Sequence, residues 1–538
     1  MAQTLKRGLI HVRFSGIQIS HEISTALPEI DLKVFEKNPG LGGTWFENRY
    51  PGCTCDVPSH TYQFSWAPNP RWTQLYPGAS EIRHYLENTV KDHNLAKFFN
   101  FNWRCVSAKW DESESKWTAR FEHTQRNTNL VVDSDVLIYA VGRLNNYKIP
   151  AIDGQSLFKG RIVHTAAWPD DLDVSCKRIV IVGNGASAVQ CVPALQPDTP
   201  EEISSFELDV QSYDLHRVYL EKRVAVGLSG LWRGTLAQES FQNLCRCFMQ
   251  SNIQDPILLE ALLPNFEAGC RRFTPGRHYL NALQQPNVEY LQDSVVELTE
   301  ETLITGSGRR FDCDVIIYAT GFEPYKPRFP VLGRDGVDLM GNWNREGPCE
   351  SYMAAMVAQF PNFFVFCPPI CPVNGPAIPG IERTSNYMTR VIHRLQTDSL
   401  KSVSVKATAQ REFNEWAQSR MPEMVWSGQC SSWYKNENGK VTVPWPGTML
   451  HYYRATQTIR WEDFELRHFS PSLRYDSFGN GLTVEGFVPE EFPWVKLSDR
   501  EESLNKANRK ISSVVQHLKA AWPCWSIWTL CAILKYVS

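Results

Sequence analysis

The run Ile179-Val-Ile-Val182 is apolar at every position, which predicts a strand buried on both faces of a parallel sheet. Gly183-Asn-Gly185-Ala-Ser-Ala188 follows at once and predicts a tight turn opening a helix through Val189 and Gln190. The N-terminal region has the same order in altered form. Leu9-Ile-His-Val12 predicts a strand, Arg13-Phe-Ser-Gly16 a turn into a helical stretch, and Leu32 to Glu36 a second strand. Two further apolar strands lead into Ala140-Val-Gly142 and Ala319-Thr-Gly321-Phe322, and Glu201 to Gly269 reads as helical. Strand–turn–helix units occurring twice predict an α/β fold with two Rossmann-like dinucleotide-binding domains and a helical insertion.

The glycines of the intact turn have separate tasks. Gly183 permits the turn, Gly185 lets backbone N–H groups approach a pyrophosphate, and Ala188 keeps the helix close to its strand. The helix N-terminus attracts the anion, so Gly183, Asn184, Gly185, Ala186, Ser187, Ala188, Val189 and Gln190 form a candidate nucleotide site. In the first unit Glu36 stands twenty residues after Gly16, where an acidic side chain holds the ribose of a dinucleotide. His11 and Arg13 occupy the places of the first two glycines there. Their side chains obstruct a close backbone approach, with Arg13 a candidate phosphate contact.

Composition narrows the class without changing this picture. A chain of 538 residues predicts two or three domains, and 43% hydrophobic with 21% charged residues argues against global disorder. A net charge of −3 gives no reason to expect nucleic acid as a partner. The fifteen cysteines include no Cys-x-x-Cys and no histidines at metal-binding spacing, so no metal site is expected and the thiols read as reduced and intracellular. Met1 to Val12 has no apolar core of a secretory leader, and a cytoplasmic location is expected. Ala520 to Leu534 is apolar but short and interrupted by Pro523. Docking or disorder of this tail is preferred to a membrane-surface anchor.

Two long segments carry a family pattern. Gly42-Gly43-Thr44-Trp45-Phe46-Glu47 runs on through Tyr50-Pro-Gly52-Cys-Thr54-Cys55 to Asp56, and Phe158-Lys-Gly160-Arg-Ile-Val-His164 runs on to Trp168-Pro169. The second matches F-x-G-x-x-x-H-x-x-x-W-P at each defined position. Gly269-Cys-Arg271-Arg272 and Ser432-Trp433-Tyr434 follow in the family's order. From about Val34 to about Leu466 the chain resembles class B flavin monooxygenases of the Baeyer–Villiger type, nearest to the fungal branch acting on polyketides, terpenoids and steroids.

The resemblance implies FAD and NADPH as cofactors, with a small lipophilic ketone and O2 as substrates. One oxygen atom would be inserted beside the ketone carbonyl to give an ester or lactone. Arg272 would stabilise negative charge on the attacking oxygen and on the tetrahedral adduct, with Asp56 orienting it. His164 would serve function or domain coupling. Thr44, Trp45, Asp56 and Tyr62 match flavin-contacting positions, with Gly43, Phe46, Glu47, Thr54 and Cys55 beside them, and Trp433 matches a nicotinamide contact. Duller roles stay open: a core histidine at 164, a turn cap at Asp56, a solvated basic face at Arg271 and Arg272.

The expected division is an FAD domain in 1–145 and 321–510, and an NADP domain in 152–200 and 270–320. A helical insertion at 201–269 and a tail at 511–538 complete it. After Ala194 to Pro200 the family has another strand ending in basic residues, whereas this chain passes into Glu201-Glu-Ile-Ser, with Lys222 and Arg223 as candidate substitutes. Two alternatives therefore stand beside the leading expectation: oxygenation of nitrogen or sulfur, and a homologue with impaired nucleotide sites.

Overall fold

The computed structural model describes residues 14–196 and 228–475 except 325, 345, 346 and 374, with the backbone of Arg7–His11 and residues 478, 479 and 481. The side chains of His11 and Arg13, Lys222 and Arg223, the acidic segment after Pro200 and the apolar tail lie outside the described residues. Contacts divide the chain into two compact units, Met1–Phe469 and Ser470–Ser538. The described part of the second holds one helical turn, Pro471–Leu473, capped by the Ser470 hydroxyl.

The first unit contains a five-stranded parallel sheet in the order Phe363–Val365, Val136–Tyr139, Arg7–His11, Asp31–Phe35, Phe99–Asn100. Val136–Tyr139 is buried at all four positions, as a continuous apolar run in a parallel sheet requires. The helices Phe14–Ala26 and Ala377–Thr397 pack against each other beside it, sharing a core with Ile17, Ile23, Ile378 and Val391. An antiparallel meander, Trp103–Asp111, Lys116–His123 and Asn129–Ser134, stands on an aromatic core of Trp110, Trp117, Phe121 and Phe363. The alternation of buried and exposed residues in Lys116–His123 is that of a strand with one wet face.

The second parallel sheet is smaller. Val315–Tyr318, buried throughout, lies between Arg161–His164 and Ile179–Val182. Each fully buried isoleucine here, Ile316 and Ile317, contributes roughly 1.5–3 kcal/mol of hydrophobic stabilisation. Ile179–Val182, expected to be buried on both faces, is instead half-buried, because it forms one edge of the sheet among the described residues. The helix Ala186–Ala194 leaves this strand and packs on the helix Arg277–Ala282. An antiparallel trio, Val295–Leu298, Thr302–Thr305 and Arg310–Asp312, adjoins it. The described part of the 201–269 segment is helical as expected, with Leu236–Asn252 capped by Thr235 and Pro256–Leu262 capped by Asp255.

Candidate active site

Gly42 and Gly43 have φ of 124° and 54°, a backbone turn that L side chains rarely adopt. It opens the single helical turn Thr44–Glu47. Phe46 lies under the Arg83 guanidinium at 4.8 Å. The Trp45 indole donates to the Tyr62 hydroxyl at 3.3 Å, and the Tyr62 ring stands edge-on to Phe14 at 5.1 Å. Burial pushes the Tyr62 phenol well above its ordinary value, so the hydroxyl stays protonated.

Glu36 is buried just beyond the strand Asp31–Phe35 and accepts the Asn38 backbone N–H at 2.9 Å. Glu47 accepts from Asn38 at 2.9 Å and Asn145 at 2.6 Å, and pairs with Lys37 at 2.7 Å. Glu36, Lys37, Glu47, Cys105 and Asn145 line a cavity of about 250 Å³. A buried carboxylate facing such a cavity suits the hydroxyls of a ribose. Gly16 lies buried in the first turn of Phe14–Ala26, and its carbonyl accepts from the Ser20 hydroxyl at 2.7 Å. The residues present therefore fit the adenosine end of a dinucleotide.

The segment Tyr50 to Asp56 crosses from one sheet towards the other. Thr54 bridges Gly78, and the Cys55 N–H donates to the Pro77 carbonyl at 2.9 Å. Burial, with the Asp56 charge beside it, pushes the Cys55 thiol up to about 12. Tyr50 donates to the Gln190 side chain at 2.7 Å, and Gln190 donates to the Thr54 carbonyl at 2.9 Å. Gln190, expected at the nucleotide, instead joins the helix Ala186–Ala194 to this segment. A Cβ on Gly52 would crowd the Gln190 carbonyl and lie 2.9 Å from the Ala194 Cβ, so the segment approaches the helix backbone at Gln190.

Asp56 meets Arg272 across 216 residues of sequence. The guanidinium donates from Nε to Oδ2 and from Nη2 to Oδ1 at 2.8 Å, while Nη1 reaches the Val373 carbonyl at 3.3 Å. Burial alone would lower the arginine's pKa, but the Asp56 charge and hydrogen bonds outweigh it and hold the pKa above the ordinary value. Arg272 is half-buried; Arg271 is exposed and stacks on Phe266 at 5.3 Å. Tyr434 is buried, with its phenol pushed up by burial against the opposing pull of Arg272, and the half-buried Trp433 ring lies 4.7 Å from it.

The disulfide Cys270–Cys430 joins these two segments. This corrects the expectation of uniformly reduced thiols. With the two cysteines 160 positions apart in sequence, no local spacing announces the pair.

His164 has other neighbours. It ends the strand Arg161–His164, its Nδ1 accepts the Ala166 N–H at 3.0 Å, and its ring stacks on Tyr147 at 4.7 Å with Phe322 at 6.2 Å. Tyr147 and Phe322 form a β-bridge between the two segments that follow Val136–Tyr139 and Val315–Tyr318. Burial lowers the imidazole to about 4, offset in part by the Gly321 backbone, so it is neutral near pH 7. That supports coupling of elements more than proton transfer.

At the second turn Gly183 has φ 122°, and a Cβ there would crowd the Ala319 backbone carbon at 2.9 Å. A Cβ on Gly185 would meet nothing within 4 Å, so the face over this backbone is open to a ligand. Asn184, Gly185 and Ala186 are exposed at the helix N-terminus, Ser187 and Val189 are half-buried and Ala188 is buried. Asn184 is held by Tyr279 at 2.8 Å and Tyr290 at 3.3 Å. This strand, turn and nine-residue helix fit a pyrophosphate. Sequence reasoning missed Tyr434, the Val373 carbonyl, Tyr147 and Tyr279. Only Tyr434 had a signal, its place beside Trp433.

Two nucleotide-binding folds bridged by an arginine–aspartate pair define a class, the flavin monooxygenases with two dinucleotide domains. Cyclohexanone monooxygenase from Rhodococcus sp. Phi1, solved bound to NADP+, has this fold, with a TM-score of 0.74, 22% identity, and coverage of 86% of this chain and 99% of that one. Residues 14–77 match the NAD(P)-binding Rossmann-like domain.

The FAD-binding monooxygenase moxY of Dothistroma septosporum is 34% identical over 88% of this chain and 81% of its own length. A Baeyer–Villiger monooxygenase of Streptomyces coelicolor is 30% identical over 82% and 89%. The chain belongs to the family of FAD-binding and Baeyer–Villiger monooxygenases, and is an oxidoreductase of that class.

Proposed function

We propose that this protein inserts one oxygen atom from O2 beside the carbonyl of a lipophilic ketone, giving an ester or lactone, with FAD and NADPH as cofactors. The observation that carries this is the Arg272–Asp56 pair, set between the Gly42–Asp56 segment and Trp433–Tyr434. Bound FAD supplies the oxygen chemistry, with electrons from NADPH.

Arg272 stabilises negative charge on oxygen because it remains protonated at any working pH and presents fixed donors. Asp56 holds Nε and Nη2, which fixes the plane of the guanidinium and turns Nη1 towards the Val373 carbonyl. Glu36 holds the FAD ribose, Gly43 to Glu47 and Thr54 to Asp56 line the flavin, and Tyr62 buttresses Trp45. Gly183 to Val189 hold the NADPH pyrophosphate, and Trp433 faces the nicotinamide. The FAD domain comprises 1–145 and 321–510, and the NADP domain 152–200 and 270–320. A polyketide, terpenoid or steroid-like ketone of secondary metabolism is the proposed substrate class, on the likeness to fungal relatives. No helix among the described residues is long and apolar enough to cross a membrane.

The test is Arg272→Ala in the yellow holoprotein. NADPH should still bleach the flavin absorbance, while ester formation falls by on the order of 10²–10³, about 3–4 kcal/mol of lost transition-state stabilisation. Ester formation at the wild-type rate would rule out charge stabilisation by Arg272. Oxygenation of amines or sulfides in preference to every ketone offered would replace the substrate class.

A further inference from the structure

Arg272 sits on a stretch, Gly269 to Gly276, that has no regular secondary structure. Its guanidinium is fixed from one side by Asp56 and Val373. Its backbone must be fixed separately, since a charged donor acts fully only when its support is rigid. Cys270, two residues before Arg272, is wholly buried and bonded to Cys430, three residues before Trp433 and four before Tyr434.

The two segments also meet through weaker contacts. Glu267 accepts from Arg233 at 2.9 Å and packs on Gly428, and the Cys270 N–H donates to the Glu267 carbonyl at 3.0 Å. On the other segment Lys435 donates to the carbonyls of Gly428 and Cys430. These contacts keep the segments folded and adjacent. Tyr434 also hydrogen-bonds the Arg272 side chain, and the covalent bond ties the two backbones together two residues from the arginine.

We propose that Cys270 and Cys430 are positioning residues, whose disulfide holds the Arg272 loop at a set distance from Trp433 and Tyr434 so that the guanidinium stays aimed during turnover. The proposal rests on charge stabilisation by Arg272 in the proposed oxygenation. Its chemistry is simple: a dithiol reductant passes two electrons and two protons to the bond, leaving two thiols and an oxidised reductant.

The experiment uses the full-length holoprotein and the double variant Cys270→Ala/Cys430→Ala. Peptide mapping without reduction must first show 270 joined to 430 in the wild type; two free thiols in air-oxidised protein would overturn the proposal. In the variant, amide hydrogen exchange should rise together in 269–275 and 430–434. NADPH should still reduce the flavin, while product per flavin reduced falls by on the order of 10–100-fold, the balance appearing as hydrogen peroxide.

A lowered melting temperature with exchange in 269–275 and product yield both unchanged would make the bond merely structural and overturn the proposal. Should the variant not fold, dithiothreitol followed by alkylation of the native protein gives the same readouts, and reoxidation before alkylation should restore them. Failure of the wild type to oxygenate any ketone would sink the proposed function, yet the exchange data would still report on the tie.

Discussion

The chain is pinned to itself at two joints of opposite electrical character. At Asp56–Arg272 a full positive and a full negative charge meet in a half-buried place, and the arginine's pKa is raised by its partner. At His164 a group able to carry charge is kept neutral between Tyr147 and Phe322, with its pKa lowered to about 4. Burial acts against charge in both. At the first joint a carboxylate with two-point contact outweighs burial; at the second only backbone groups oppose it, and burial wins. Charge is thus kept at the joint proposed to act on a reacting oxygen and removed at the joint that holds elements together.

The largest effect should come from breaking the charged joint on one side. Asp56→Ala leaves a half-buried guanidinium without its counter-ion and should cost about 3–4 kcal/mol of stability, near the lower end for buried pairs because water reaches part of it. Thermal unfolding measures this. Asp56→Leu combined with Arg272→Met should recover most of the stability and none of the oxygenation. If the double variant is as unstable as the single one, the joint holds the fold by something other than charge pairing.

The neutral joint should show itself through pH. An unfolded histidine takes up a proton near 6.5, whereas folded His164 does so only near 4. Between those values the unfolded chain binds more protons, so stability is full above pH 6.5 and declines as pH falls towards 4, by up to about 3 kcal/mol. Replacing His164 with Phe should flatten that part of the denaturation profile. An unchanged slope would mean that another group carries it.

The smallest effect belongs to a third contact without charge. Gln190→Ala removes the hydrogen bonds to Tyr50 and the Thr54 carbonyl. It should cost about 1–2 kcal/mol and loosen the helix Ala186–Ala194 against the Tyr50–Asp56 segment. NADPH affinity should weaken with it, measured by titration of the oxidised protein.

Features set by neighbours in sequence were legible without coordinates. The run Ile179–Val182 and its glycine turn form the expected strand and helix start, though the strand is half-buried at a sheet edge and not buried on both faces, and Val136–Tyr139 and Val315–Tyr318 precede their expected turns. The family motif singles out Asp56 and Arg272, and the two side chains meet, a contact that spacing alone does not announce. Convergence outside any motif was illegible. Cys270 and Cys430 meet because two irregular segments cross, and the Val373 carbonyl reaches Arg272 through backbone that no side chain announces. The family match favours Arg272 over Arg271 as the buried arginine, and Arg271 is exposed beside half-buried Arg272.

Gly52 lies against the backbone of the helix Ala186–Ala194, where an added methyl group would strike Ala194. The gap between the Tyr50–Asp56 segment and this helix is therefore as narrow as the absence of a side chain at 52 allows. Any other residue at 52 acts as a wedge, tilting the helix and with it the direction in which its N-terminus points. On the proposed reading of these two elements as flavin and NADPH seats, a single codon sets how the one is aligned with the other.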